Sequence, residues 1–252
     1  MKKILLGAAA LVAALSMSAP ASAADLAAAP YTKAPSMIAA VYDWTGFYIG
    51  LNGGGGSTRK CWDINNAGAG NIAPFREGCH DASGGMVGGQ MGYRWQAGGW
   101  VFGLEAMGDW ANFKGSNLSA FPFGVAVTNQ TKIDAIGLFT GQVGYAWNNV
   151  LWYVKGGAAV THDNYNGRLG GVVADQASEA RWGGAVGTGI EVGFAPNWTV
   201  AVEYDHLFMG SRNNNFVLPG GGFSRIDNIR EDVDMGTVRV NYRWGGPVIS
   251  KY

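Results

Sequence analysis

Residues 237–244 of the chain have the sequence TVRVNYRW. Apolar and polar residues alternate along it, and a β-strand repeats every two residues, so one face of the strand is apolar and the other is polar. The apolar face carries Val238, Val240, Tyr242 and Trp244, and the polar face carries Arg239, Asn241 and Arg243. This alternation predicts a strand whose two faces meet different surroundings.

The same alternation recurs seven more times upstream of this stretch. The segments lie near residues 47–52, 86–96, 100–110, 132–147, 150–160, 182–194 and 198–205. In this register, Asp, Glu, Lys and Arg are absent from all eight apolar faces. The opposite faces carry Arg94, Glu105, Asp109, Lys132, Asp134, Lys155, Glu191, Glu203, Asp205, Arg239 and Arg243.

Eight strands cannot enclose both an apolar core and so many charges, whereas a membrane barrel turns its apolar face to lipid. In hydrocarbon the strands must close into a ring, because every backbone N–H and C=O needs a partner. The sequence therefore predicts an all-β fold, an eight-stranded antiparallel up-and-down transmembrane β-barrel of the outer membrane. A lumen charge network is expected at Glu105, Lys155, Glu191, Glu203 and Arg239, with an ion pathway as the alternative.

Composition narrows the functional class. Only 14% of the 252 residues are charged, against an average near 25%, and the 18 basic residues balance the 18 acidic ones. The basic patch typical of nucleic-acid binding is therefore missing, and no nucleic-acid partner is expected. Beyond the first 24 residues the sequence has no apolar run of the ~20 residues that a membrane helix requires.

Connections between the segments alternate in length. The short ones are at 97–99, 148–149 and 195–197, and the long ones are at 54–85, 111–131, 162–181 and 209–231. Short periplasmic turns and long extracellular loops are typical of outer-membrane barrels. A periplasmic aromatic girdle is expected where strands meet a short turn or a terminus, at Trp44, Trp95, Trp100, Trp147, Trp152, Trp198 and Trp244. Trp110 and Trp182 indicate a second girdle, and Trp62 falls in the first long loop.

The N-terminus has the features of an export signal. Lys2 and Lys3 precede an apolar stretch at 4–15, and the small residues Ala-Ser-Ala follow at 21–23. The apolar stretch is too short for a membrane anchor. We expect a signal peptide at 1–23 cleaved between Ala23 and Ala24, an Ala/Pro-rich extension at 24–43, and the barrel with a short C-terminal tail at 44–252.

Export bears on the two cysteines, Cys61 and Cys79. An oxidising compartment allows this pair to form a disulfide, and a metal site would need more ligands than His80 supplies. We expect a disulfide that closes the first long loop, and no metal site.

Several segments also resemble a known family. They are WTGFYIGLNGGGG at 44–56, GGMVGGQMGYRWQ at 84–96, VFGLEA at 101–106, GQVGYAW at 141–147, YVKGGAAV at 153–160, FAPNWTVAVEYDH at 194–206 and TVRVNYRWGGPVISKY at 237–252. They resemble the small outer-membrane β-barrel surface antigens of alphaproteobacteria, the RopB-like and opacity-protein-like family that often carries a porin label. The resemblance implies a surface-exposed structural or antigenic protein, and some members are described as binding haemin.

The three histidines raise two possible chemistries, haem ligation and catalysis. His80, His162 and His206 lie in or beside the long loops, and imidazole is a usual axial ligand of haem iron, so haemin binding is one alternative. His206 and Ser211 lack a sequence pattern that joins them into a catalytic pair. No enzymatic activity and no resident cofactor are expected.

The sequence therefore predicts a non-enzymatic protein of the Gram-negative outer membrane, with a role in envelope integrity and surface interaction. A narrow porin-like diffusion channel and a haemin-binding surface protein are the alternatives. The expected partners are outer-membrane lipid and lipopolysaccharide, and a host or envelope partner reached through the long loops. The expected oligomeric state is a monomer.

Overall fold

The computed structural model describes residues 42–66, 68, 70–121 and 126–244. The expected signal peptide with its Ala23–Ala24 cleavage site, the extension up to residue 41 and the tail from residue 245 lie outside the described residues. Within the described ranges, the structure contains no helix long and apolar enough to cross a membrane.

The structure is a closed ring of eight antiparallel strands in sequence order, β1 to β8. Ile49 of the first strand pairs with Met91 of the second and with Tyr242 of the last, which closes the ring. The predicted eight-stranded barrel is confirmed. The strands are β1 Gly46–Asn66, β2 Asn71–Ala97, β3 Trp100–Leu118, β4 Val127–Trp147, β5 Val150–Leu169, β6 Val172–Ala195, β7 Trp198–Val217 and β8 Phe223–Trp244.

The strands are longer than the sequence pattern indicated, and the predicted loops of roughly twenty residues are wrong. The segments 54–85, 111–131, 162–181 and 209–231 consist mostly of strand, with short connections at 67–70, 119–126, 170–171 and 218–222. Gly170 and Gly171 both have positive φ, which suits a two-residue hairpin turn. Beyond the membrane the outward face becomes polar, so the contrast between the two faces disappears from the sequence while the strands continue.

The apolar outward face marks the part of each strand that crosses the membrane. On β3 the outward tryptophans Trp100 and Trp110 are ten positions apart, and on β7 Trp198 and Phe208 have the same separation. These spans match the 9–11 residues that a tilted strand needs to cross a bilayer. About nine further residues of β7 continue past Phe208, about 30 Å along the strand, so the barrel wall protrudes on the extracellular side.

A register change in β4 corrects two of the predicted lumen charges. Ile133 is fully buried in the interior, although the sequence pattern placed it on the lipid face. Lys132 and Asp134 point outward, and the β4–β5 register shifts between Ile133 and Ala135. This β-bulge inserts one residue and exchanges the two faces of the strand.

Candidate functional site

The barrel interior is filled by layers of side chains, and its periplasmic end is closed by Trp44. This residue is fully buried, and its indole Nε1 donates to the backbone oxygen of Asn148 at 3.1 Å. Val101, Leu151 and Tyr153 pack in the same cluster. Trp44 therefore does not belong to the girdle, because the chain ahead of β1 places it inside the barrel mouth.

The other girdle tryptophans face outward. Trp95 stacks on Phe102 and Trp100 contacts Tyr145 edge-on, as in a belt of neighbouring rings. Trp62, assigned from the sequence to a loop, is buried inside the protruding wall. The outward tryptophans are Trp95, Trp100, Trp147, Trp152, Trp198 and Trp244 at the periplasmic end, and Trp110 and Trp182 at the other.

Arg239 and Lys155 form the centre of the lumen charge network. The Arg239 guanidinium contacts the carboxylates of Glu105 and Glu203. Lys155 Nζ lies 2.5 Å from Glu203 Oε1 and 3.1 Å from Asp205 Oδ1. All of these side chains are buried, so each charge depends on its partners rather than on water.

Two tyrosines connect the network to the barrel wall. Tyr48 Oη donates to Glu105 Oε2, and Tyr153 Oη donates to Glu203 Oε2, both at 2.6 Å. A Cβ atom on Gly92 would lie 2.6 Å from the Tyr48 hydroxyl, so the missing side chain provides room for that ring. Sequence reasoning did not identify these tyrosines as part of the site.

A second ion pair lies beside this network. Arg94 Nη2 lies 2.8 Å from Glu191 Oε2, and its guanidinium stacks 4.5 Å from the centre of the Tyr48 ring. Glu191 Oε1 also accepts hydrogen bonds from Thr199 and Asn241. The structure thus places the five predicted residues Glu105, Lys155, Glu191, Glu203 and Arg239 in one buried layer.

An apolar layer fills the lumen further along the barrel. Phe113, Ile133, Leu207 and Val233 are fully buried there. Sequence reasoning missed this layer, because Phe113, Leu207 and Val233 lie near or beyond the predicted strand ends. Its members are Met86, Met107, Ala111, Phe113, Ile133, Ile136, Leu138, Ala159, Ala185, Leu207, Met209, Val233 and Met235.

The protruding half contains two more charged groups. Lys60 contacts Asp163 and lies 2.9 Å from Glu231, beside the buried ring of Trp62. Nearer the extracellular rim, Arg225 pairs with three carboxylates, at 2.9 Å from Glu77, 3.0 Å from Asp175 and 3.2 Å from Asp227. Burial raises the pKa of Asp227 to about 8, and the Arg225 charge opposes that rise.

The cysteines form a disulfide, but it does not close a loop. Cys61 and Cys79 are directly paired on β1 and β2, with their Cα atoms 4.1 Å apart. The pair lies in the protruding wall, because both strands continue far beyond the membrane. The bond therefore links two paired strands.

The three histidines do not converge. His80 is inside the barrel and bonds Asn117 and Thr131, and burial lowers its pKa. His162 and His206 lie on the outer wall, at 2.6 Å from Asp134 and 2.7 Å from Asp234. The structure thus does not bring together the residues named for haemin, because strand alternation separates His80 from the other two. Among the described residues, no cluster of three or more His, Cys, Asp or Glu is arranged to hold a metal ion.

His162 has a second neighbour. Ser178 Oγ lies 3.4 Å from its Nε2, on the side of the ring away from Asp134. Proximity in the sequence points to His206 and Ser211 instead. Sequence reasoning missed this group because the three residues come from three strands and because the bulge in β4 turns Asp134 outward.

The sequence matches the family described as "Outer membrane protein beta-barrel domain" over residues 8–245. The chain belongs to this outer-membrane β-barrel family. With the closed ring of strands and the outward apolar band, this family places the protein in the outer membrane of a Gram-negative bacterium. A comparison with curated proteins finds no match.

Solved structures of outer-membrane proteins are similar in fold. The attachment invasion locus protein Ail of Yersinia pestis is 14% identical with a TM-score of 0.40, and covers 79% of this chain and 99% of its own. OprG of Pseudomonas aeruginosa is 13% identical with a TM-score of 0.49, covering 81% and 99%. The protease OmpT of Escherichia coli is 9% identical with a TM-score of 0.49, covering 79% and 97%.

Proposed function

We propose that this protein is chiefly a structural, surface-exposed component of the outer membrane, non-enzymatic in its lumen, which supports envelope integrity and surface interaction. The observation that carries the proposal is the filled lumen. Ion-paired layers lie on both sides of an apolar layer that includes the fully buried Phe113 and Leu207. Such an interior favours a rigid plug over the alternative of a narrow diffusion channel.

Lipopolysaccharide is the proposed main partner. Lys114 of β3 and Lys132 of β4 are direct neighbours on the outer wall, a like-charge pair that costs stability unless an anion lies nearby. Lys114 lies four residues beyond Trp110, close to the expected level of lipid headgroups. Lipid A phosphates meet this requirement, and a monomer leaves the whole outer wall open to lipid.

The protruding wall is the proposed surface for a host or envelope partner. Its outward face carries Arg59, Arg76 and Arg230 around the disulfide, with Asp63 and Asp232 between them. In this proposal the partner binds the strands of the protruding wall. The sequence had instead suggested that a partner would bind through long loops. The resemblance to alphaproteobacterial surface antigens supports this role.

Cells that lack the protein test the proposal. We expect deletion to make intact cells more sensitive to detergent, and the wild-type gene to restore resistance. A Lys114→Glu/Lys132→Glu variant that reaches the outer membrane in normal amount should restore resistance only partly. Normal detergent resistance together with slower uptake of a small solute would contradict the structural role and favour a channel.

A further inference from the structure

We propose that Ser178, His162 and Asp134 form a catalytic triad on the outer wall that hydrolyses acyl esters of anionic lipids in the outer leaflet. This activity goes beyond the structural role and departs from the expected absence of enzymatic activity. The three residues come from the neighbouring strands β6, β5 and β4 and all point outward.

The hydrogen bonds of His162 assign a role to each residue. An ionised carboxylate only accepts hydrogen bonds, so Asp134 Oδ1, at 2.6 Å, fixes the proton of His162 on Nδ1. Nε2 then presents its lone pair to Ser178 Oγ at 3.4 Å. This distance is long for a hydrogen bond, as is common for a nucleophile and its base before substrate binds.

Asp134 is itself held in place. Its second oxygen accepts a hydrogen bond from Asn164 Nδ2 at 2.8 Å. The β4 bulge is what turns Asp134 to the outer wall, where His162 lies on the adjacent strand. Asp134 is therefore a positioning residue, and Ser178 and His162 are the residues that would touch substrate.

A cavity of about 490 Å³ adjoins Ser178. Lys132, Asn166 and Gln176 line it, and they supply a positive charge and amide donors for a developing oxyanion and an anionic headgroup. The β6–β7 pairing is interrupted between Gln176 and Gly184, so the wall is irregular beside the nucleophile. The site thus combines a nucleophile, a base and a polar pocket.

The position of the site indicates the substrate class. Ser178 lies four residues beyond Trp182, an outward girdle residue that stacks on Phe139 at 6.4 Å. Acyl chains would pack on the apolar band below, and a polar headgroup would reach the cavity. An ester between an acyl chain and an anionic headgroup therefore fits both parts of the site.

The reaction needs only ester and water. Ser178 Oγ attacks the ester carbonyl carbon while His162 Nε2 takes the hydroxyl proton, and the departing alkoxide then receives that proton as the C–O bond breaks. His162 next takes a proton from water, which attacks the acyl carbon, and returns that proton to Ser178 Oγ as the bond between the acyl carbon and Oγ breaks. The products are a fatty acid and an alcohol, and Ser178 is regenerated.

The test uses the full-length protein purified from outer membranes, with its fold checked by heat-modifiable gel migration. A fluorophosphonate probe should label Ser178, as located by peptide mass spectrometry. Ser178→Ala should abolish both labelling and hydrolysis of a p-nitrophenyl acyl ester. His162→Gln should slow hydrolysis at least about 100-fold.

Ser83→Ala is the matched control. Ser83 is an exposed outward serine on β2, in the same cross-strand row but three strands away from His162. Its replacement should leave labelling and hydrolysis unchanged. Asp134→Asn should lower kcat with KM unchanged, which a loss of local structure alone would not produce.

Two experiments with different lipids identify which lipid supplies the ester. Fatty acid release is measured from phosphatidylglycerol vesicles and from vesicles containing lipopolysaccharide, and release from either one supports the proposal. Absence of release from both overturns the assignment of lipid as substrate. Wild-type protein that is not labelled, or labelling that survives Ser178→Ala, overturns the triad and leaves the structural role unaffected.

Discussion

At the scale of single residues, Arg239 shows how the lumen tolerates buried charge. Its guanidinium lies between the carboxylates of Glu105 and Glu203. Each carboxylate also accepts a hydrogen bond from a tyrosine hydroxyl. Among the described residues, removal of Arg239 leaves Lys155 as the one cation that faces the three buried carboxylates of Glu105, Glu203 and Asp205. Such a loss costs far more than loss of an exposed pair.

We therefore expect Arg239→Met to lower the free energy of unfolding by about 3–5 kcal/mol. The matched control is Arg76→Ala, because Arg76 pairs with Asp63 at 2.8 Å but its side chain is 62% exposed. That change should cost no more than about 1 kcal/mol. Urea unfolding in detergent micelles measures both, and equal losses would mean that the network does not stabilise the barrel.

Asp227 makes the stability of the protruding wall depend on pH. Its folded-state pKa is about 8, above the ordinary value of 3.8, because burial favours the neutral acid. Its stabilising contribution is therefore complete below about pH 4 and is lost as the pH rises through 8. Ionisation then places a third negative charge beside Glu77 and Asp175, around the single guanidinium of Arg225.

Hydrogen exchange of β8 residues 223–229 measures this effect. We expect faster exchange at pH 9 than at pH 6, after correction for the intrinsic pH dependence of exchange. Asp227→Asn should remove most of that difference, because an amide does not ionise. A variant that keeps the full difference would assign it to another group.

At the scale of elements, the β1–β2 hairpin has two parts with different sources of stability. The membrane part depends on backbone pairing that hydrocarbon enforces. The protruding part carries the Cys61–Cys79 cross-link between directly paired strands. The two parts should therefore respond differently to reduction.

Reduction should leave the compact, heat-modifiable form of the barrel intact and speed proteolysis within residues 57–84. The expected loss is at most about 3 kcal/mol, confined to the protruding hairpin. Cys61→Ser/Cys79→Ser should behave like the reduced wild type. Loss of the compact form on reduction alone would show that the bond supports the membrane part as well.

Substitution of outward valines by arginine tests which part of the wall lies in the membrane. Val143 faces outward in the membrane band, and Val143→Arg should reduce folding yield in liposomes at a cost of about 2–4 kcal/mol. Val217, an outward valine at the extracellular end of β7, is the control. Val217→Arg should fold normally, and equal yields would contradict the assigned membrane band.

Sequence patterns predicted the membrane parts of the strands but not their full length. Where lipid meets the outward face, the alternation in β3 and β8 was sufficient to predict strand, face and closure. Past the membrane the outward face becomes polar, so the strand ends were missed even though Gly170–Gly171 is a recognisable hairpin turn. The bulge in β4 reverses two side chains without an obvious sequence signal, because it depends on pairing with neighbouring strands.

At the scale of the whole molecule, the barrel is a wall around a layered interior. The charged layer of the membrane part was predictable, because Glu105, Lys155 and Arg239 alternate with apolar neighbours. The apolar layer was not, because Phe113, Leu207 and Val233 lie near or beyond the predicted strand ends. The outer-wall site at Ser178 was equally hidden, since strand pairing rather than sequence spacing brings its residues together.

The layered interior is expected to close the lumen to solutes. Liposome swelling with reconstituted wild-type protein tests it most directly, with protein-free liposomes and an open porin as references. Ion pairs such as Lys155–Glu203 and the apolar layer around Phe113 fill the interior, so we predict no swelling in isotonic sugar solutions. Swelling driven by the entry of a sugar through the wild-type barrel would contradict the account.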